Sequence, residues 1–305
     1  MRVFITGGSG FVGSAIVPEL LAAGHVVTGL ARSAEAAERL AAAGVAPHRG
    51  DLTDLADLRA AAAAADAVIH CAFVHDFTNL AASAVIDLHA AEAMIDGLAS
   101  GAGKVLITTS GTALLAGRGL AHEDDAVDPS GHAAFRLPTE TAVRAAAARG
   151  VRSAVMRLPP SVHGAGDHGF APFLIDIARR SGVSAYQGSG ENRWPSVHRE
   201  DAAILYRMAL ERLADGTIPA GSALHANAEE GVPMRDIAGA IAAQLGLGPP
   251  EPRPAEHFGW FARFAALDNP TSSARTAALT GWRPTRPGLL EDLRGPACAA
   301  AANAR

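Results

Sequence analysis

Two cysteines, two tyrosines and an aromatic content of 5% in 305 residues set the first limits on this sequence. Cys71 and Cys298 stand far apart, which excludes a disulfide framework and points to a reducing, cytoplasmic setting. No apolar stretch of about 18 residues escapes a charge or a helix breaker, which excludes a transmembrane span. Met1 leads at once into an apolar β-type run, so no signal peptide is expected. There is no excess of positive charge. A net charge of -5 gives no reason to expect nucleic acid or an anionic membrane as a partner. No internal repeat is evident. What remains is an alanine-rich, soluble globular composition, 49% hydrophobic and 19% charged, long enough for one large domain or two coupled ones.

The chain is organised around its first thirteen residues, MRVFITGGSGFVG. Val3, Phe4 and Ile5 form a short β-type run, Thr6 to Gly13 a glycine-rich turn, and SAIVPELLAAG a helical pattern. Strand, glycine turn and helix start in that order make a dinucleotide-binding fingerprint. Gly7 allows the tight turn, and Gly10 lets the backbone approach a pyrophosphate. Gly13 lets the helix pack close to the strand, its N-terminus facing the anion. Ser9, Phe11 and Val12 complete the cofactor turn.

Further on, apolar runs alternate with helical patterns. Strands are expected at His25–Ala31, Val45–Arg49, Ala67–Cys71, Lys104–Thr109 and Val151–Arg157, with helices between them. Such alternation, with near-continuous apolar strands, predicts an α/β fold built on a doubly wound parallel sheet. Ser33 is a candidate N-cap for the second helix. About 20 residues past the glycines an NAD-binding fold places an acidic residue, whereas an arginine there suits a 2′-phosphate. This chain has Arg32 and then Ser33, with no carboxylate before Glu35. Arginine pairs strongly with phosphate, so NADP(H) is the expected cofactor.

TGGSGFVG, Asp51-Leu52, AVIHCA at 67–72 and TTS at 108–110 together resemble the extended short-chain dehydrogenase/reductase family. So do PPSVHG at 159–164, SVHREDAA at 196–203 and GWRPT at 281–285, so the resemblance runs through nearly the whole chain. It implies adenine contacts at Asp51 and Leu52, and a turn along the cofactor at Cys71, Ala72 and Phe73. Thr108 closes the same side, and Pro159, Pro160 and Val162 lie beside the nicotinamide. It also implies a serine after the fifth strand and a Tyr-x-x-x-Lys on the next helix. Ser110 fills the first role, with Thr109 and Thr112 as neighbours. The second is altered, because Tyr186 and Tyr206 both come too late. Aligned on Glu140, the chain reads His132-Ala133-Ala134-Phe135-Arg136, an H-x-x-x-R.

Residues four apart share a helix face, so His132 and Arg136 are expected to point together into the cofactor cleft. Histidine titrates near 6.5 and can donate a proton at neutral pH without a lysine partner. Arginine is no acid or base, but it can hold the nicotinamide ribose and add positive potential. The catalytic set is therefore Ser110, His132 and Arg136, acting in NADPH-dependent reduction of a ketone or aldehyde. Two alternatives stay open: an NADP(H)-binding sensor or scaffold that has lost turnover, and an epimerase or isomerase.

No metal is expected, since His163, Asp167 and His168 match no zinc pattern. His163, Thr112 and Trp194 are candidate substrate contacts, with Asn192 and Arg193 beside the tryptophan; a loop merely anchored by Trp194 is the other reading. Residues 121–129 read as a solvated acidic loop and 246–254 as a linker. Val232-Pro233 opens a helix to Leu245, and His257–Leu267 is an aromatic helical stretch, either core or the wall of an apolar pocket. The expected division is a cofactor domain at 1–160 and 196–228, a substrate region at 161–195 and 229–295, and a frayed tail at 296–305. The partner is a small carbonyl compound, and the assembly a monomer or homodimer.

Overall fold

A computed structural model describes residues 1–76, 78–131 and 133–295. The tail from residue 296, with Cys298, lies outside the described residues. The first half follows the alternation: β1 (Arg2–Thr6), α1 (Gly13–Ala22), β2 (Val26–Ala31), α2 (Ala34–Ala42), β3 (Ala46–Arg49), α3 (Leu55–Ala64) and β4 (Ala67–His70). Then come α4 (Leu80–Leu98), β5 (Val105–Gly111), α5 (Leu137–Ala145) and β6 (Arg152–Leu158). The second half adds β7 (Ser161–His163), α6 (Phe170–Ser181), β8 (Ala185–Tyr186), β9 (Arg193–His198), α7 (Arg199–Ala214) and β10 (Ser222–His225). It closes with β11 (Glu229–Pro233), α8 (Met234–Leu245), β12 (Glu251–Pro252), α9 (Ala262–Ala265), α10 (Ala274–Thr280) and α11 (Leu289–Arg294).

Seven strands make one sheet in the order β10-β6-β5-β4-β1-β2-β3, every pairing parallel. Both faces are covered, which is why the strands carry apolar residues at successive positions. Val3, Ile5, Ile69, Ile107 and Met156 pack with α1 and α7. Phe4, Val68, Leu106 and Val155 pack with α3, α4 and α5. Each fully buried Val, Leu or Ile contributes about 1.5–3 kcal/mol of transfer free energy, so the two layers hold the sheet from both sides. The strand order reverses between β1 and β4. A crevice opens there, at the carboxyl ends of the strands.

The second half builds a smaller sheet, β11-β9-β7, and a two-stranded pair, β12-β8. Its core joins Trp194, Ile237, Ile241, Phe258, Phe261, Leu289 and Leu293. The C-terminal segment is strapped back to α7, where Trp282 Nε1 donates to the Asp201 carbonyl at 2.9 Å and the Asp201 carboxylate accepts from the Arg286 N–H at 2.9 Å. Among the described residues no helix is long and apolar enough to cross a membrane.

Several local expectations are corrected. Val232 and Pro233 end strand β11, and α8 opens one residue later, at Met234, with Pro233 as its N-cap and Leu245 as its last residue. The 246–254 linker contains β12, paired with β8. The acidic stretch is not simply solvated: Glu123 is buried and accepts from Thr276 N–H at 2.7 Å and Thr276 Oγ1 at 2.8 Å. The aromatic stretch is a 3-10 turn over Ala255–Phe261, broken at Gly259, followed by one short helix.

Candidate active site

The glycine turn lies at the carboxyl end of β1, beside the crevice. Gly7 adopts φ +71°, the left-handed region that glycine enters without strain. A Cβ there would sit 2.7 Å from Ala72 N and 2.9 Å from Cys71 C, so glycine also admits the neighbouring β4 turn. At Gly13 a Cβ would run into the Gly7 carbonyl oxygen and lie 2.8 Å from Gly7 C and Gly8 Cα. The start of α1 is thus pressed against the turn. Gly10 N–H donates to Gly7 O at 2.9 Å, leaving Gly10 exposed and Ser9, Phe11 and Val12 half-buried around a helix N-terminus. Free N–H groups at such an end attract an anion. This cradle fits the pyrophosphate of a dinucleotide.

The neighbouring strand ends frame the rest of the crevice. Arg32 is exposed past β2, with no ion pair among the described residues. Ser33 caps α2 by accepting from Ala36 N–H at 3.2 Å. Asp51 accepts from the N–H and Oγ1 of Thr53 at 2.9 and 2.8 Å, which hold its carboxyl below the usual range. Leu52 is buried beneath it. Ala72 N–H donates to Thr6 Oγ1 at 3.2 Å, Phe73 follows half-buried, and Thr108 is buried in β5. Pro159, Pro160 and Val162 carry the chain from β6 into β7.

Ser110 ends up near the carboxyl end of β5, 8% exposed, and its Oγ has no hydrogen-bond partner among the described residues. An unpartnered buried hydroxyl costs about 1–3 kcal/mol, and such groups are retained where a ligand completes them. Arg136 reaches the same end of the sheet: Nη1 donates to Thr109 O at 3.5 Å, and its guanidinium stacks on Phe73, 3.5 Å from the ring centre. Burial lowers the Arg136 pKa, while Asp87 and Glu140 act against that shift; an arginine stays charged regardless. Glu140 is engaged elsewhere, in a buried pair with Arg157 at 2.7 Å.

The single-helix premise for His132 and Arg136 is corrected. Ala134–Arg136 is a 3-10 turn and α5 begins only at Leu137, with Pro138 in its first turn. Proline there starts the helix, since its missing N–H would lack a partner anyway. His132 itself lies outside the described residues.

The three candidate substrate contacts are engaged inside the protein. Trp194 is fully buried, packed against Phe170 and Phe261, so it anchors β9 and presents no ring to a ligand. His163 is buried with Nδ1 2.9 Å from Asp292 Oδ2, fixing α11 to the small sheet. Thr112 is buried with Oγ1 2.8 Å from the Asn269 side-chain amide. Arg193 pairs with Asp268 at 3.2 Å, and Asn192 donates to Ala265 O at 2.9 Å. In each case long-range pairing decides what the side chain touches.

Sequence reasoning missed two groups near the crevice. Tyr206, set aside as too late in the chain, places its hydroxyl 2.7 Å from Thr109 Oγ1, one residue from Ser110. Thr109 Oγ1 also donates to Cys71 Sγ at 3.3 Å. Burial raises the tyrosine pKa well above 10 and pushes the Cys71 thiol up to about 11, so both stay protonated near neutrality. The second group is His70 with Asp87, buried behind Arg136. Its signal in the sequence is polar residues inside apolar runs: AVIH on β4 and AVIDLHAA on α4.

The glycine cradle, the switch-point crevice and the serine at the end of β5 define a dinucleotide-dependent Rossmann protein. Residues 3–220 match the model of the NAD dependent epimerase/dehydratase family, and the chain belongs to that family, within the extended short-chain dehydrogenase/reductases. A protein of Schizosaccharomyces pombe, described as uncharacterized, is 45% identical over 300 residues, covering 97% of this chain and 99% of its own. The 2-alkyl-3-oxoalkanoate reductase of Stenotrophomonas maltophilia is 29% identical over 259 residues, or 81% of this chain and 76% of the reductase. The dTDP-glucose 4,6-dehydratase DesIV of Streptomyces venezuelae, solved as a double mutant with NAD bound, shares the fold. Its TM-score is 0.77 at 19% identity, covering 100% of this chain and 97% of that one.

Proposed function

We propose that this protein is an NADPH-dependent carbonyl reductase acting on a mid-sized, partly apolar ketone or aldehyde. The observation that carries the reading is Ser110, a buried hydroxyl with no partner among the described residues, beside a charged arginine at the crevice. The cofactor, when bound, supplies a hydride to the carbonyl carbon. Ser110 Oγ donates a hydrogen bond to the carbonyl oxygen, stabilising the negative charge that develops there. Arg136 adds positive potential and holds the ribose of the nicotinamide half. His132 is assigned as the proton donor to the oxygen, because imidazole titrates near neutrality and the chain offers no family-type tyrosine. Likeness to a reductase of 2-alkyl-3-oxoalkanoates supports an apolar keto substrate.

The choice of NADPH rests on Arg32. It is exposed beyond β2, free of any ion pair among the described residues, and adjoins the N-terminus of α2. The 2′-phosphate would meet a guanidinium and a helix end together. The solved relative named above carries NAD, so the test must separate the two cofactors. Titration of NADPH and NADH is expected to show a preference for NADPH that shrinks at least about tenfold in Arg32→Ala, from loss of a charge-assisted contact. An unchanged ratio refutes the assignment. NADPH consumption with a panel of carbonyl compounds tests the reaction itself.

A further inference from the structure

Behind Arg136 runs a chain of buried polar groups that neither cofactor binding nor the proposed chemistry has so far used. Thr6 closes β1, His70 closes β4, and Asp87 faces them from α4; all three are at most 3% exposed. Thr6 Oγ1 and His70 Nδ1 are 2.6 Å apart, and the same Oγ1 accepts from Ala72 N–H at 3.2 Å. His70 Nε2 then faces Asp87 Oδ1 at 3.3 Å, and Asp87 Oδ2 lies 4.0 Å from Arg136 Nη1. With Thr6 donating to Nδ1, the imidazole proton sits on Nε2 and points to the carboxylate.

The energetics are one-sided. Among the described residues Asp87 Oδ2 has no hydrogen-bond partner although it is buried, and His70 Nε2 meets the carboxylate only through the 3.3 Å approach to Oδ1. Burial alone would raise the Asp87 pKa; the His70 imidazole facing it and the charge of Arg136 outweigh this and hold the carboxyl below its usual range. A buried carboxylate without compensation is costly, so Asp87 is kept by what it holds. Among the described residues it is the only carboxylate within 4.0 Å of Arg136, Glu140 being committed to Arg157. The contacts also form a ring. Thr6 leads through Ala72 to Phe73, on which Arg136 stacks, and through His70 and Asp87 to Arg136 again.

We infer that Asp87 is a positioning residue: with His70 and Thr6 it fixes Arg136 in the crevice and ties that arginine to the glycine turn that seats the dinucleotide. The inference rests on the proposed role of Arg136 toward the nicotinamide half. It assigns Asp87 no proton transfer and no contact with substrate. Lysine at the arginine position would be a flexible point charge; a planar guanidinium acts only when its plane is set, and the stack on Phe73 with Asp87 at its edge sets it.

A double-mutant cycle read by NADPH fluorescence titration tests this without requiring turnover. Asp87→Asn, nearly isosteric, is expected to weaken NADPH binding about tenfold, Arg136→Ala at least as much, and the double variant no further than Arg136→Ala within about twofold. Thr6→Val provides a second route if Asp87→Asn does not fold. It is expected to weaken binding about threefold in the parent and not at all in the Arg136→Ala background. Losses that multiply, or an Asp87→Asn affinity within twofold of the parent, overturn the inference. Failure of the unsubstituted protein to bind either dinucleotide overturns the proposed function and this inference together, and so is told apart from multiplying losses.

Discussion

Asp167 lies in the loop between β7 and α6, 4% exposed, where burial pushes its carboxyl up to about 6 against the opposing Gly169 N–H bond at 2.7 Å. The folded protein therefore binds this proton more tightly than the unfolded chain, in which a carboxyl titrates near 3.8. Between those values stability falls as pH rises: the penalty is absent below about 4 and complete above about 6. The gap corresponds to about 3 kcal/mol. Asp167→Asn imitates the protonated form and keeps an oxygen for Gly169. It is expected to raise the melting temperature at pH 7.5 and to leave it unchanged at pH 4, as followed by thermal unfolding across that range. A gain of equal size at both pH values would contradict the assignment. Such a group is invisible in the sequence, because a loop aspartate among glycines gives no sign of being enclosed.

At the scale of elements, the glycine turn was the most legible part of the chain. The clash that a Cβ at Gly13 would meet is with backbone, so nothing flexible can yield. Gly13→Ala is expected to abolish dinucleotide binding and to destabilise the fold by about 2 kcal/mol or more, a typical figure for overpacking against backbone. Calorimetry with and without NADPH checks both; a variant that binds normally would refute the close-packing role. Strands were readable because parallel pairing buries both faces and leaves continuous apolar runs, so β1, β2, β4, β5 and β6 fall within a residue or two of expectation. Where the reading failed, tertiary pairing overrode local pattern. Val232-Pro233 stands just before α8, with Pro233 as its N-cap, but both residues are also paired with Trp194 and Arg193 on β9, which the local pattern does not show. Proline breaks a helix interior, yet Pro138 stands in the first turn of α5, where its missing N–H costs nothing. The His70–Asp87 pair, 17 positions apart in sequence, exists only because α4 packs back across β4.

Across the whole molecule, the large sheet carries the glycine turn, while β9, β11, α6, α8 and α11 share a separate core in the second half of the chain. Resemblance over nearly the full length made this arrangement readable, while the individual substrate contacts were not. Trp194, His163 and Thr112 are each buried against separate partners, Phe170 and Phe261, Asp292, and Asn269, and nothing local distinguishes such a side chain from one that faces a cleft. The reaction remains the central claim, and it meets at Ser110 and Arg136. Its most direct measurement is NADPH oxidation with an aliphatic 3-oxo ester, comparing the unsubstituted protein with Ser110→Ala. Because Ser110 Oγ has no partner among the described residues, the variant is expected to keep its stability and its NADPH affinity while kcat falls about 100-fold, the usual loss for one oxyanion donor. Tight NADPH binding with no turnover of any carbonyl compound, or turnover indifferent to Ser110→Ala, would contradict the account.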